Sequence, residues 1–270
     1  MGVLNVTPDS FSDGGKFLDL DAAVRRGIEL VEEGADFVDV GGESTRPGSD
    51  AVPMEEELRR IIPVIQQLAK RTDVPLSVDT YKSAVAAAAL DAGAVLVNDI
   101  SGLTFDSRMA ETVAHHGSSL VIMHIKGTPK TMQQNPTYEN VVLEVKQFLH
   151  DQCEIARRAG VRQVLVDPGI GFGKKLNHNV EVIRRLSEFD SLGYPILVGP
   201  SRKSFIGMIL DLPVTERLEG TAAAVTACIL NGAHVIRVHD VKEMKRVAAV
   251  SDALKPLNSQ SPVLQFGQPA

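Results

Sequence analysis

The chain has 270 residues, 44% of them hydrophobic and 23% charged, a globular composition with material for a sizeable core, which excludes disorder and collagen-like order. Lys and Arg number 28 against 34 Asp and Glu, a net charge of −6, and the basic residues are scattered, so there is no electrostatic footprint for nucleic acid. No apolar run approaches the ~18 residues of a membrane span, the first eleven residues lack a basic leader pattern, and Cys153 and Cys228 stand far apart without a CxxC; the expectation is a cytoplasmic protein with no membrane partner, no disulfide and no thiolate metal site.

Short β-branched apolar runs alternate with longer stretches of helical spacing along nearly the whole chain. The first run, Val3–Thr7, leads into a polar, Gly-ended loop from Asn5 to Gly15 and then a helix over 21–33. Phe37–Gly41 follows, with a second long loop from Gly41 to Pro53 and a helix over 55–71. Then come Leu76–Thr80 with 81–92, Leu96–Asp99 with 106–116, Leu120–His124 with 138–159 and Val164–Asp167 with 177–189. Ile196–Gly199 precedes a helical stretch over 204–230 broken around Pro213, and Val235–His239 precedes 241–254. Six of the seven helix-to-strand links hold a glycine (Gly34, Gly93, Gly117, Gly160, Gly193, Gly232), where a helix closes in the left-handed conformation.

Eight strand–helix units without a composition break predict an α/β fold, a single (β/α)8 TIM barrel over 1–254. An open doubly wound sheet is the alternative, but the nearest stretch to its GxGxxG fingerprint, Gly169–Gly173, follows the sixth strand and not the first. The two long loops read as mobile lids that exclude water. Residues 255–270, with two prolines, two serines and three glutamines, read as a disordered tail.

Active sites of such barrels lie at the C-terminal ends of the strands. The residues there are Asn5, Glu43-Ser44-Thr45-Arg46, Asp79-Thr80, Asn98-Asp99, His124, Asp167, Ser201-Arg202-Lys203, Arg237 and His239-Asp240. Any one of them could cap a helix or tie down a turn; convergence of all eight strands on polar ends favours a ligand. Asp79, Asn98 and Asp167 offer acceptors and an amide to a flat, donor-rich heterocycle such as a 2-amino-4-oxo pteridine, or alternatively hard ligands to a magnesium ion. Arg46, Lys203, Arg237 and His239 predict a phosphate pocket. Lys203 could alternatively be a Schiff-base nucleophile of an aldolase, which leaves the three acceptors without a purpose.

The segments Leu4–Gly14 (LNVTPDSFSDG), Glu43–Gly48 (ESTRPG), Ser77–Thr80 (SVDT), Asn98–Ile100, Asp167–Lys174 (DPGIGFGK), Ser201–Phe205 (SRKSF) and Arg237–Asp240 (RVHD), in this order, resemble the dihydropteroate synthase family of the folate pathway. Members of that family usually carry a leading hairpin before the first strand, whereas this sequence starts at that strand. The resemblance implies condensation of 6-hydroxymethyl-7,8-dihydropterin pyrophosphate with p-aminobenzoate, with Mg²⁺, in a homodimer paired through helices on one side of the barrel. Carried over residue by residue, it implies that Asp79, Asn98, Asp167 and Lys203 hold the pterin, with Met123 beneath it and Arg237 against its face. Asn5, Thr45, Arg46, Arg237 and His239 surround the pyrophosphate, with Asn5 also touching the metal, and Phe11, Pro47, Phe172 and Ser204 form the p-aminobenzoate slot. Arg46, Lys203, Arg237 and His239 are then catalytic, with Asp9 on the first lid an electrostatic partner for a methylene cation. Two rivals are a pterin-dependent methyltransferase, which needs no pyrophosphate cluster, and a non-catalytic pterin-binding paralogue.

Overall fold

Apolar runs bounded by polar residues form eight short parallel strands: β1 (Gly2–Asn5), β2 (Val38–Gly41), β3 (Leu76–Asp79), β4 (Leu96–Asp99), β5 (Ser119–Met123), β6 (Gln163–Asp167), β7 (Leu197–Val198) and β8 (Val235–Ile236). The computed structural model describes residues 1–7 and 19–255. Asp9 and Phe11, with most of the first expected lid, and the expected tail beyond residue 255 lie outside the described residues. The helices are α1 (Leu20–Glu32), α2 (Met54–Leu68), α3 (Ser83–Asp91), α4 (Met109–His115), α5 (Val141–Ala159), α6 (Leu176–Arg184), α7 (Ser204–Leu210), α8 (Leu218–Leu230) and α9 (Val241–Ala253). Helix α1 shows the logic: Asp19 caps it by accepting from the Ala22 N–H at 3.0 Å, and Ala23, Val24, Gly27 and Leu30 turn one face to the sheet. The six expected linker glycines all adopt left-handed backbone.

Strands β1 to β6 pair in sequence order and β7 pairs with β8. Parallel bridges from Val166 to Ile196 and from Gly2 to Val238 join the two sheets. Val166 N–H donates to Pro195 O at 2.9 Å, Val3 N–H to Val238 O at 3.0 Å and Val238 N–H to Met1 O at 3.0 Å, so the ring of eight closes as the expected barrel. Met1, Phe37, Leu96, Val121, Leu165, Leu197 and Val235 fill one layer of its interior, while the larger core lies between strands and helices.

The stretch 204–230 breaks at Pro213 as expected, into α7, a 3-10 turn (Val214–Glu216) and α8, with Asp211 turning left-handed (φ 54°) just before the proline. Two elements differ from expectation. The stretch 177–189 gives α6 and then a 3-10 helix over Leu186–Leu192. Helix α5 starts at Val141, where Asn140 accepts from the Leu143 N–H at 3.2 Å, leaving a third long loop over 124–140 at the mouth. Among the described residues no helix is long and apolar enough to cross a membrane. Cys153 and Cys228 are buried free thiols, pushed up to about 12 by burial, and so are unreactive.

Candidate active site

Strand register sets the level of the polar side chains: Gly41, Asp79 and Asn98 stand side by side on β2, β3 and β4, and Met123 stands beside Asp167 on β5 and β6. Arg237, just past β8, reaches across the ring to this row. Its Nε donates to Asp39 Oδ2 at 2.6 Å and its Nη2 to Asp79 Oδ2 at 2.7 Å, while Asn98 Nδ2 donates to the same Asp39 oxygen at 3.0 Å. Asp39, Asp79 and Asn98 are all buried. A carboxylate out of water needs a cation and hydrogen-bond donors; one guanidinium serves two. Asp39 Oδ1, Asp79 Oδ1 and Ser77 Oγ remain buried without a hydrogen-bond partner, so Asp79 keeps an acceptor for a ligand N–H.

Asp39 escaped the strand-end reading because it lies inside the run Phe37–Gly41. The signal was available: an acid flanked by Val38 and Val40 cannot point into a barrel without a buried cation.

Burial pushes Asp79 up to about 7, with Arg237 pulling it down and Asp39 adding to the rise. Asp167 is likewise pushed up to about 6 by burial, against its 2.7 Å bond from the Gly169 N–H and the nearby Lys203. Against the pull of burial, Asp39 and Asp79 hold Arg237 protonated. Lys203 is pushed down to about 8 by burial and by Arg237. Its Nζ sits 4.0 Å from the centre of the Phe172 ring, a cation–π contact. Phe172 joins Ile100, Met123, Ile125 and Met132 in an apolar cluster beside the polar row.

The phosphate side is less assembled. His239 Nδ1 lies 3.0 Å from Ser201 Oγ, and burial, then Arg237, push this histidine down to about 4. It is therefore a neutral imidazole at neutral pH, and among the four basic groups expected at the phosphate pocket it contributes a hydrogen bond and not a charge. Asn5 is half-buried at the end of β1, Thr45 is half-buried, and Arg46 and Pro47 are exposed. Arg46 makes no ion pair among the described residues. Ser204 opens α7 and is exposed. Two strand-end candidates are structural: Asp99 accepts from Ser101 N–H and Oγ and from Leu103 N–H at 2.6–2.8 Å, and Asp240 pairs with Arg202 through two bonds of 2.9 and 2.5 Å.

The second expected lid is tied down. At its base Glu43 accepts from the Val52 N–H (3.0 Å), Lys82 Nζ (2.6 Å) and Tyr81 OH (2.7 Å), and Lys82 also bonds Glu57. At its tip the Gly48 N–H donates to Pro129 O at 3.0 Å and Asp50 pairs with Lys130 at 2.6 Å. The loop over 124–140 is thus the neighbour that seats it.

Residues 1–239 match the family model described as "Pterin binding enzyme". The dihydropteroate synthase of Synechocystis sp. is 48% identical over 257 residues, covering 94% of this chain and 89% of that protein. The crystal structure of Yersinia pestis dihydropteroate synthase with a sulfonamide drug complex superimposes with a TM-score of 0.89 at 43% identity, over 94% of this chain and 92% of that one. Xanthomonas albilineans dihydropteroate synthase with 4-aminobenzoic acid gives 0.88 at 44% identity, over 94% and 91%. With a barrel mouth of buried acids and an amide and this match along nearly its whole length, the chain belongs to the pterin-binding enzyme family, among the dihydropteroate synthases.

Proposed function

We propose that this barrel mouth condenses 6-hydroxymethyl-7,8-dihydropterin pyrophosphate with p-aminobenzoate, giving 7,8-dihydropteroate and pyrophosphate, a transferase step of folate biosynthesis. The observation that carries the reading is the row Asp79, Asn98 and Asp167 beside the Met123–Phe172 cluster: buried acceptors and an amide along one edge, apolar contact on the face. A pterin ring has that distribution of polarity.

In this reading Asp79, Asn98 and Asp167 take the pterin edge, Lys203 completes its polar contacts, Met123 lies beneath the ring and the Arg237 guanidinium covers its face. Asn5, Thr45, Arg46, Arg237 and His239 receive the pyrophosphate, and the neutral imidazole of His239 can donate to a phosphate oxygen through one nitrogen. Phe172, Pro47 and Ser204, with Phe11 outside the described residues, form the slot for p-aminobenzoate. The C–O bond to pyrophosphate breaks with its electron pair leaving on the phosphate oxygen. The amine nitrogen of p-aminobenzoate then forms the C–N bond and gives up a proton to solvent or to the departing phosphate. Asp9, also outside the described residues, is assigned the electrostatic partner of the electron-poor methylene.

Among the described residues no group of three or more His, Cys, Asp or Glu side chains could hold a metal ion. That fits Mg²⁺, which keeps its waters and takes phosphate oxygens with only one or two protein ligands; Asn5, a hard amide oxygen at the end of β1, would be the protein's share. When bound, the ion supplies charge neutralisation for the departing pyrophosphate. A homodimer belongs to the same reading and is supported by the exposed apolar Met208, Ile209 and Val214 on one side of the barrel.

The test is a condensation assay with labelled p-aminobenzoate, pterin pyrophosphate and Mg²⁺. Labelled dihydropteroate is expected only when both substrates are present; its absence with well-folded protein rejects the function.

A further inference from the structure

Two groups at the mouth have no part in the reaction as described: Lys174, which ends the segment after β6, and His124, which follows β5. Lys174 is 2% exposed. Its Nζ lies 2.9 Å from His124 Nδ1 and donates to the carbonyl oxygens of Gly169 at 3.0 Å and Phe172 at 3.1 Å. As an ammonium Lys174 has three N–H donors and accepts nothing, and in that form His124 Nδ1 is the acceptor and every donor is used. Burial pushes Lys174 down to about 7, with the charge of Asp167 pulling it up; each of its three bonds is stronger when the donor is charged. The His124 ring is itself fixed, standing edge-on to Phe148 with centroids 5.0 Å apart.

The segment between them is laid flat against the end of β5. Gly169 and Gly173 have left-handed backbone (φ 71° and 61°), and a Cβ on Gly169 would overlap the His124 carbonyl oxygen while one on Gly173 would sit 2.5 Å from Lys126 O. Only glycine permits both that conformation and that approach. Two further carbonyls are also claimed: Gly171 O by Gln133 Nε2 at 2.9 Å and Gly173 O by Tyr138 OH at 2.7 Å. Phe172 rides in the middle of this pinned backbone.

We infer that Lys174 and His124 are positioning residues: the bonded pair fixes the Phe172 backbone against β5 and so sets the p-aminobenzoate side of the site, taking no part in bond making. This rests on the function proposed above, because it takes Phe172 as a wall of the p-aminobenzoate slot. A purely apolar side chain at position 174 would fill the space but leave the Phe172 carbonyl without its donor and the Gly169 carbonyl with the Phe172 N–H alone (3.1 Å), so the segment is freer to shift, and a wall displaced by about 1 Å costs far more in the step it orients than in the fold.

The experiment compares wild type, Lys174→Met, His124→Leu and His124→Asn by steady-state kinetics in both substrates, with circular dichroism and thermal unfolding as folding controls. Asn offers its amide oxygen near the place of Nδ1, whereas Leu offers nothing. Lys174→Met and His124→Leu should raise KM for p-aminobenzoate roughly tenfold or more; His124→Leu, which keeps the Lys174 charge beside Asp167, should leave KM for pterin pyrophosphate within about twofold, and His124→Asn should recover most of the loss. A role only in folding would lower the unfolding temperature and the yield of active enzyme but move neither KM. Unchanged KM for p-aminobenzoate in folded His124→Leu, or equal rises in both KM values, would overturn the inference, and His124→Leu carries the test if Lys174→Met does not fold. An inactive wild type would instead overturn the function, and the inference with it.

Discussion

Asp39→Asn separates two jobs that one buried carboxylate performs. It keeps the shape of the side chain and removes its charge, while Arg237 retains its 2.7 Å bond to Asp79. Asp79 is pushed up to about 7 by burial, with Arg237 lowering it and Asp39 raising it. Two unit charges about 6 Å apart interact by about 3 kcal/mol at an effective dielectric of about 20. With the guanidinium between them we take about half of that, near 1.4 kcal/mol or about one pK unit. A pterin N–H reads the ionised carboxylate, so affinity is present above the Asp79 pKa and lost as pH falls through it. Removing Asp39's charge lowers that pKa, and the acid limb moves about one unit toward lower pH. The second job pulls the other way, because the 2.6 Å bond to Arg237 Nε loses its charged acceptor at a cost of about 1 kcal/mol. Affinity at the top of the pH profile should fall about fivefold, with the alkaline limb still set by Lys203 near 8. Calorimetric titration of a pterin without pyrophosphate across this range reads both effects. An acid limb that stays in place, or moves up, refutes the claim that the charge of Asp39 adds to the rise in the Asp79 pKa.

Asp79→Asn or Asp167→Asn should weaken pterin binding by about 1.5–3 kcal/mol, the scale of a hydrogen bond to a charged group, with the fold intact by circular dichroism; unchanged calorimetric affinity in both would remove the pocket. A sulfonamide should inhibit competitively with p-aminobenzoate, since it presents a similar aniline ring to Phe172 and Pro47, and noncompetitive steady-state inhibition would place the slot elsewhere. Chelating divalent metal should abolish condensation yet leave affinity for a pterin lacking pyrophosphate unchanged; a parallel loss of plain pterin binding would contradict the assignment of the ion to Asn5 and the phosphates.

The barrel was legible because period 2 and period 3.6 alternate eight times, and because strand ends carry the polar residues that a barrel gathers at one face. Asp79, Asn98 and Asp167 were legible for that reason. Asp39 was missed because it lies inside an apolar run and not at a strand end; the acid between Val38 and Val40 announces a buried partner, but which one, Arg237 at 198 residues' distance, is settled only once the ring is closed. The seating of the second lid was hidden in the same way: the contact of Gly48 with Pro129 joins two irregular loops, and irregular backbone has no period to read. The neutral state of His239 comes first from its burial and then from Arg237, Arg202 and Lys203 converging beside it, an environment that no local pattern displays.

The closure of the ring through Val3 and Val238 also fixes an order of events during synthesis. Arg237 is made 198 residues after Asp39 and 158 after Asp79, and at about 5–20 residues per second the older carboxylate waits about 10–40 s for its cation. Until Arg237 is made, Asp39 and Asp79 lack the guanidinium that pairs them in the closed ring, so the pterin side of the mouth acquires its arrangement with the final strand.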